Sequence, residues 1–202
     1  MAPEGACGFD PHPGHPVDRI GASVCGVSLL VVSAVGPDRP GIVAGVTGVL
    51  LEHGGNLEDT SMTILRGHFA MTMVVAAASS AAELAAALRA TADALGLLVS
   101  VAEITPESDD AGAGEPYVVA VHGADHPGIV HAVTALLAER NVNVVDLTTR
   151  LRGEGDSAVY VMALDIDIPA ALDVGALSEA LTSLGGELGV TVTVHAADAD
   201  LL

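Results

Sequence analysis

The sequence predicts an α+β protein built from two βαββαβ units, each a four-stranded antiparallel sheet with two helices on one face. Three observations lead there. The loop GPDRPGIV at 36–43 returns as GADHPGIV at 123–130. The offset of 87 residues (128 − 41) also relates Asp38 to Asp125, Pro40 to Pro127, Thr47 to Thr134, Asn56 to Asn143 and Asp59 to Asp146. Around both loops, apolar runs of strand length and segments of helical periodicity follow in the same order. A period this long is too large for a solenoid repeat and suits a small domain.

The first strand of each unit is VSLLVVSAV (27–35) or YVVAVHG (117–123), with the bounded length and β-branched content of a buried strand. After the loop, Ile42, Val43, Val46, Val49 and Leu50 fall at i, i+1, i+4, i+7 and i+8. Ile129, Val130, Val133, Leu136 and Leu137 match them. This spacing predicts one face of a helix of about a dozen residues. It stops at HGG or RNV, and a strand starts at Asn56 or Asn143. A turn at RGH or RGEGD leads into FAMTMVVAA or SAVYVMALDI and completes a hairpin. Ser80, with Glu83 three residues on, predicts a capping box at the start of the second helix. Its buried face is Leu84, Leu88 and Leu95, or Leu177, Leu181, Leu184 and Leu188 in the second copy. LLVSVAEI or VTVTVHA then closes each unit. The order is that of the split βαβ, ferredoxin-like arrangement. The expected boundaries are a flexible tail over 1–26, a domain over 27–104, an acidic linker over 105–116, a second domain over 117–196 and a short tail over 197–202.

Half of the 202 residues are hydrophobic, yet only Phe9, Phe69, Tyr117 and Tyr160 are aromatic, so the cores must be aliphatic. There are 26 acidic residues against seven arginines, no lysine, and a formal net charge of −19. Neutralising phosphates requires clustered Lys or Arg. Only Arg150 and Arg152 stand close together, flanked by Glu154 and Asp156. Direct nucleic-acid binding and association with anionic membranes are therefore not expected. No run approaches the roughly 18 apolar residues of a membrane span. The start, MAPEGACGFDPHPGHP, lacks the basic and apolar regions of a secretory signal. Both cysteines, Cys7 and Cys25, precede the first strand, and a cysteine-free body suits a reducing cytoplasm.

With the doubled DRPGIV/DHPGIV loop and the Asn of GGNLED and NVNVVD at a fixed distance beyond it, the chain resembles the ACT domain family. Two such units without an attached enzyme are most similar to the glycine cleavage system transcriptional repressor group. The resemblance covers about residues 27–104 and 117–196. It implies regulatory binding of a small molecule, commonly an amino acid such as glycine or serine, where two ACT units meet. It also implies pairing of units into an oligomer and a protein partner, with no cofactor. The implied ligand residues are Asp38, Arg39, Pro40, Gly41, Ile42 and Asn56 in the first copy. Those of the second are Asp125, His126, Pro127, Gly128, Ile129 and Asn143.

These residue types suit that chemistry. A helix N-terminus offers N–H groups and partial positive charge to a carboxylate. Gly41 and Gly128 would allow close approach to the backbone. Asp38 or Asp125 accepts from an ammonium, and Asn56 or Asn143 both donates and accepts. The same residues also suit plain structure. Asp38 before an apolar helix is a preferred N-cap with Pro40 in the first turn, and Asn56 at a strand entry is a common turn residue. Copy two departs from copy one, with GGN becoming NVN and Arg39 becoming His126. The stripe Gly41, Gly45 and Gly48 predicts a tight contact between ACT units along the first helix, set against a merely Ala/Gly-rich solvent face.

Catalysis and metal binding find little support. Of His122, Asp125, His126 and His131, only Asp125 keeps its type in the first copy, which argues against a metal set. No G-x-S-x-G, P-loop or HExxH occurs. Glu58 and Asp59 adjoin on a strand and are expected on opposite faces, unable to act as a carboxylate pair. Formyltetrahydrofolate deformylases carry a similar ACT unit, but no catalytic domain is expected here.

Overall fold

The computed structural model describes residues 27–105, 114–153 and 159–197. The elements are β1 (Ser28–Pro37), α1 (Ile42–Glu52), β2 (Asn56–Leu65), β3 (His68–Ala77), α2 (Ala81–Leu95) and β4 (Leu98–Ile104). The second series is β5 (Glu115–Gly123), α3 (Ile129–Glu139), β6 (Asn143–Arg152), β7 (Val159–Ile168), α4 (Val174–Leu188) and β8 (Val190–Ala196). The chain divides into two compact units between Pro106 and Glu107. The sheet orders are β2-β3-β1-β4 and β6-β7-β5-β8, with every neighbouring pair antiparallel. This is the expected ferredoxin-like fold, twice. Cys7, Cys25 and most of the expected linker lie outside the described residues, and β5 begins at Glu115, inside that linker.

One face of each sheet builds an aliphatic core. In unit 1, Leu30, Val32 and Ala34 of β1 join Phe69, Met71, Met73 and Val75 of β3. Ile42, Val46 and Leu50 of α1 and Leu84, Leu88 and Ala92 of α2 close over them. In unit 2, Ile129, Val133 and Leu137 of α3 and Leu177 and Leu181 of α4 do the same. Each Val, Leu, Ile, Met or Phe among them contributes about 1.5–3 kcal/mol on burial. The helical faces are those the periodicity predicts, except that Val43 and Val130 are exposed and Val49, Leu136, Leu95, Leu184 and Leu188 sit at the core margin. The Ser80 capping box is present: its hydroxyl accepts from the Glu83 N–H, and its own N–H donates to the Glu83 carboxylate at 2.8 Å. Asp173 caps α4 by accepting from the Gly175 and Ala176 N–H groups.

Three differences from the sequence expectations bear on the site. First, the β2–β3 register skips from Leu57 to Asp59, and β6–β7 skips from Val144 to Asp146. A bulge therefore sits at Glu58 and at Val145, and strict side-chain alternation does not hold there. Second, the change from GGN to NVN concerns the turn and the core. Gly54 and Asn141 both adopt positive φ (68° and 55°). A Cβ on Gly55 would lie 3.0 Å from the Leu50 carbonyl, whereas Val142 is itself a core residue.

Third, the glycine stripe of α1 divides. A Cβ on Gly45 would meet Leu95 and Thr91 of α2 at 3.1 and 3.3 Å, so this glycine serves packing inside its own unit. Gly48 has nothing within 4 Å.

The edge strand β2 is exposed along its whole length. Leu57, Met62 and Ile64 stand opposite buried Val75, Met71 and Phe69, hence on the core side of the sheet. They are nevertheless 43%, 48% and 49% exposed, because the helices cover the inner strands and stop short of this edge. The β6 edge carries exposed Val145, Leu147 and Leu151.

Candidate functional site

The duplicated loop closes one end of each unit. In unit 1 the Asp38 N–H donates to the Gly67 carbonyl at 2.9 Å, which ties the loop to the β2–β3 turn. That turn is Arg66–Gly67, both at positive φ (51° and 79°), the backbone of a two-residue type I′ hairpin. His68 follows, with Nδ1 3.3 Å from the Arg66 carbonyl. Arg66 and His68 thus stand beside the loop, although the sequence marked them only as a turn. The strand register that brings them there is a long-range property.

Asp38 and Asp125 do not cap the helices. α1 opens at Gly41 (φ 93°) and α3 at Gly128 (φ 104°), and neither start has a side-chain cap. The fixed φ of Pro40 and the left-handed turn at Gly41 push the cap three residues past Asp38, beyond reach of its short side chain. The first-turn N–H groups of Ile42, Val43 and Ala44 therefore keep their donor capacity and the positive end of the helix dipole. Asp38, Pro40, Asp125 and Pro127 are exposed. Ile42 and Ile129 turn their side chains into the cores and offer only backbone to the loop.

Arg39 and His126 reach the end of the second helix in their units. Nε2 of His126 lies 2.6 Å from the carbonyl of Leu188, and Nδ1 lies 3.1 Å from that of Pro127. Bonding to the Pro127 and then the Leu188 carbonyl raises the His126 pKa above its ordinary value, with a smaller push from Asp125 and opposition from partial burial. In unit 1, Nη2 of Arg39 lies 3.3 Å from the position a Cβ would take on Gly96, the cap of α2.

Asn56 and Asn143 lie elsewhere. Asn56 pairs with Ala76, which is level with Leu29, whereas Asp38 follows Pro37, level with His68. Eight strand residues at roughly 3.3 Å each separate the two ends by about 25 Å. Asn143 is level with Pro116 through Asp167, far from the loop that follows Gly123. A single unit thus brings Asp38, Pro40 and Gly41 together and leaves Asn56 at its opposite end.

Among the described residues, no three His, Cys, Asp or Glu side chains converge as a metal set, and no helix is long and apolar enough to cross a membrane.

Comparison with known proteins follows the two units. The ACT domain matches residues 28–102, and an ACT domain matches again at 117–186. The chain is 27% identical over 169 residues to the glycine cleavage system transcriptional repressor of Escherichia coli (strain K12), covering 82% of this chain and 88% of that protein. A UPF0237 protein of Methanopyrus kandleri is 60% identical over 45 residues, which is 22% of this chain and only half of that relative's length. The crystal structure of an unknown protein from Galdieria sulphuraria superposes with a TM-score of 0.72 at 28% identity, over 85% of this chain and 99% of that one. With one domain match on each βαββαβ unit, the chain belongs to the ACT domain family, as a tandem ACT protein related to the glycine cleavage system transcriptional repressor.

Proposed function

We propose that this tandem ACT protein is a non-catalytic regulator that binds an amino acid, such as glycine or serine, where two ACT units meet. It passes the ligand state to a protein partner in the control of amino-acid metabolism. The observation that carries this reading is the division of the candidate site between the two ends of a unit, joined by an exposed apolar edge. If β2 pairs antiparallel with the same edge of a second copy, the start of one strand meets the end of the other. Asn56 of one copy would then approach the Asp38 loop of the other. The open first turn of α1 would receive the ligand carboxylate, Asp38 its ammonium, and Asn56 either group. Pro40 and Gly41 would shape the floor. Asp125, Pro127, Gly128 and Asn143 supply the same set along the β6 edge.

The charge of −19 supports a regulator that acts through another protein without touching DNA, and the cysteine-free body supports a cytoplasmic one. The exposed apolar edges equally favour a second reading, a ligand-free interaction module whose units simply pair. Titration calorimetry of the folded protein with the twenty amino acids, led by glycine and serine, separates the two. Heat of binding that disappears in Asn56→Ala, with the melting temperature nearly unchanged, is expected. No heat for any amino acid would leave the interaction module.

A further inference from the structure

We infer that the residue between Asp and Pro in each loop, Arg39 in unit 1 and His126 in unit 2, is a latch. It ties the loop to the C-terminus of the second helix of its unit, and in unit 2 the latch opens on deprotonation. In unit 2 both imidazole nitrogens face carbonyl oxygens, Nε2 at 2.6 Å from Leu188 and Nδ1 at 3.1 Å from Pro127. Carbonyl oxygens only accept, and a neutral imidazole has a single N–H, so only the imidazolium satisfies both contacts. Leu188 is the last residue of α4, where the helix dipole adds negative charge. In unit 1 the Arg39 guanidinium stands beside Gly96, which caps α2 in the left-handed conformation as Gly189 caps α4. Two different side chains carry a cation to the same place. Arginine stays charged across the accessible pH range, and histidine does not.

The backbone is already close at this corner. A Cβ on Gly36 would lie 2.7 Å from the Gly96 carbonyl, and one on Gly123 would lie 3.0 Å from Val190 Cα. In unit 2 the latch therefore adds side-chain hydrogen bonds to a close contact at the start of α3, and in unit 1 Arg39 brings its charge to the equivalent corner. Among the described residues, the titratable groups around His126 are few. Asp125 on its own loop favours the cation. Glu187 precedes Leu188 on α4, and His131 lies in the first turn of α3. On β7, Tyr160 is pushed up by burial and then by Asp125, so its phenol stays neutral. Val190 and Thr191 at the start of β8 carry no charge. A raised folded-state pKa means the contribution of the latch is complete below the ordinary value of 6.5 and is lost as pH rises through the folded value.

The latch does not depend on any ligand, and ligand-free protein tests it. Amide hydrogen exchange of the full chain, corrected for intrinsic rates, would follow opening at Ala132, whose N–H donates to the Gly128 carbonyl, and at Gly45, whose N–H donates to that of Gly41, as a function of pH. NMR would follow the His126 ring. We expect His126 to titrate above 6.5 with both nitrogens protonated in the acid form, and opening in unit 2 to increase about tenfold across that titration while unit 1 stays flat. His126→Arg should abolish the pH dependence, and Arg39→His should transfer it to unit 1. A His126 midpoint at or below 6.5, or undiminished pH dependence in His126→Arg, would overturn the inference. If Arg39→His does not fold, the ring titration of the unaltered protein still decides.

Discussion

The Asp38 amide donates to the carbonyl of Gly67 at 2.9 Å, so backbone alone ties the first loop to the hairpin turn of its unit. The Asp38 carboxylate makes no hydrogen bond to the described residues and is exposed. Asp38→Ala should therefore leave stability within about 0.5 kcal/mol and remove amino-acid binding. Denaturant titration and calorimetry on the same sample check both halves. A large loss of stability would return Asp38 to a structural role.

Gly41 and Gly128 sit at φ 93° and 104° with open space where a Cβ would go, so strain alone opposes a side chain there. Alanine at either position should cost about 1–2 kcal/mol. Gly48 lies inside α1 with equally open surroundings, and Gly48→Ala should stabilise by about 0.5–1 kcal/mol. Urea midpoints of the three variants would move in these opposite directions if backbone conformation governs them.

Ile64 lies on the core side of β2 yet is 49% exposed at an unpaired edge. A charge there should block edge pairing without touching the core of the unit. Ile64→Lys is expected to shift the sedimentation equilibrium mass towards the monomer with an unchanged circular dichroism spectrum. An unaltered mass would mean that this edge does not mediate assembly.

Hydrogen bonds from the Ser80 backbone and then its hydroxyl hold the Glu83 carboxyl below its ordinary value of 4.5. A depressed carboxyl contributes stability above its unfolded value and loses it as pH falls through the folded one. Ser80→Ala should cost about 1 kcal/mol at neutral pH. Glu83→Gln should flatten the part of the stability–pH curve that descends below 4.5. A Glu83→Gln curve parallel to the unaltered one would remove the carboxylate from the account of this cap.

What could be read from the sequence was whatever depends on near neighbours. Ile42, Val46 and Leu50 share a helical face because 3.6 residues make a turn, and Ser80 meets Glu83 because they are three apart. The duplication carried the same logic across 87 positions (128 − 41), and the fold follows from those pieces. The loop needed the tertiary structure. Asp38 resembles a cap until the chain is seen to turn left-handed at Gly41, and no spacing in the sequence places Arg39 and His126 beside the end of the second helix. Asn56 looked like the partner of Asp38 because both recur at a fixed distance. β2, however, runs in the same direction as β1 on the far side of β3, and this places the start of one strand level with the start of the other. Which residues share an end of the sheet is set by long-range antiparallel register, and one-dimensional spacing does not encode it.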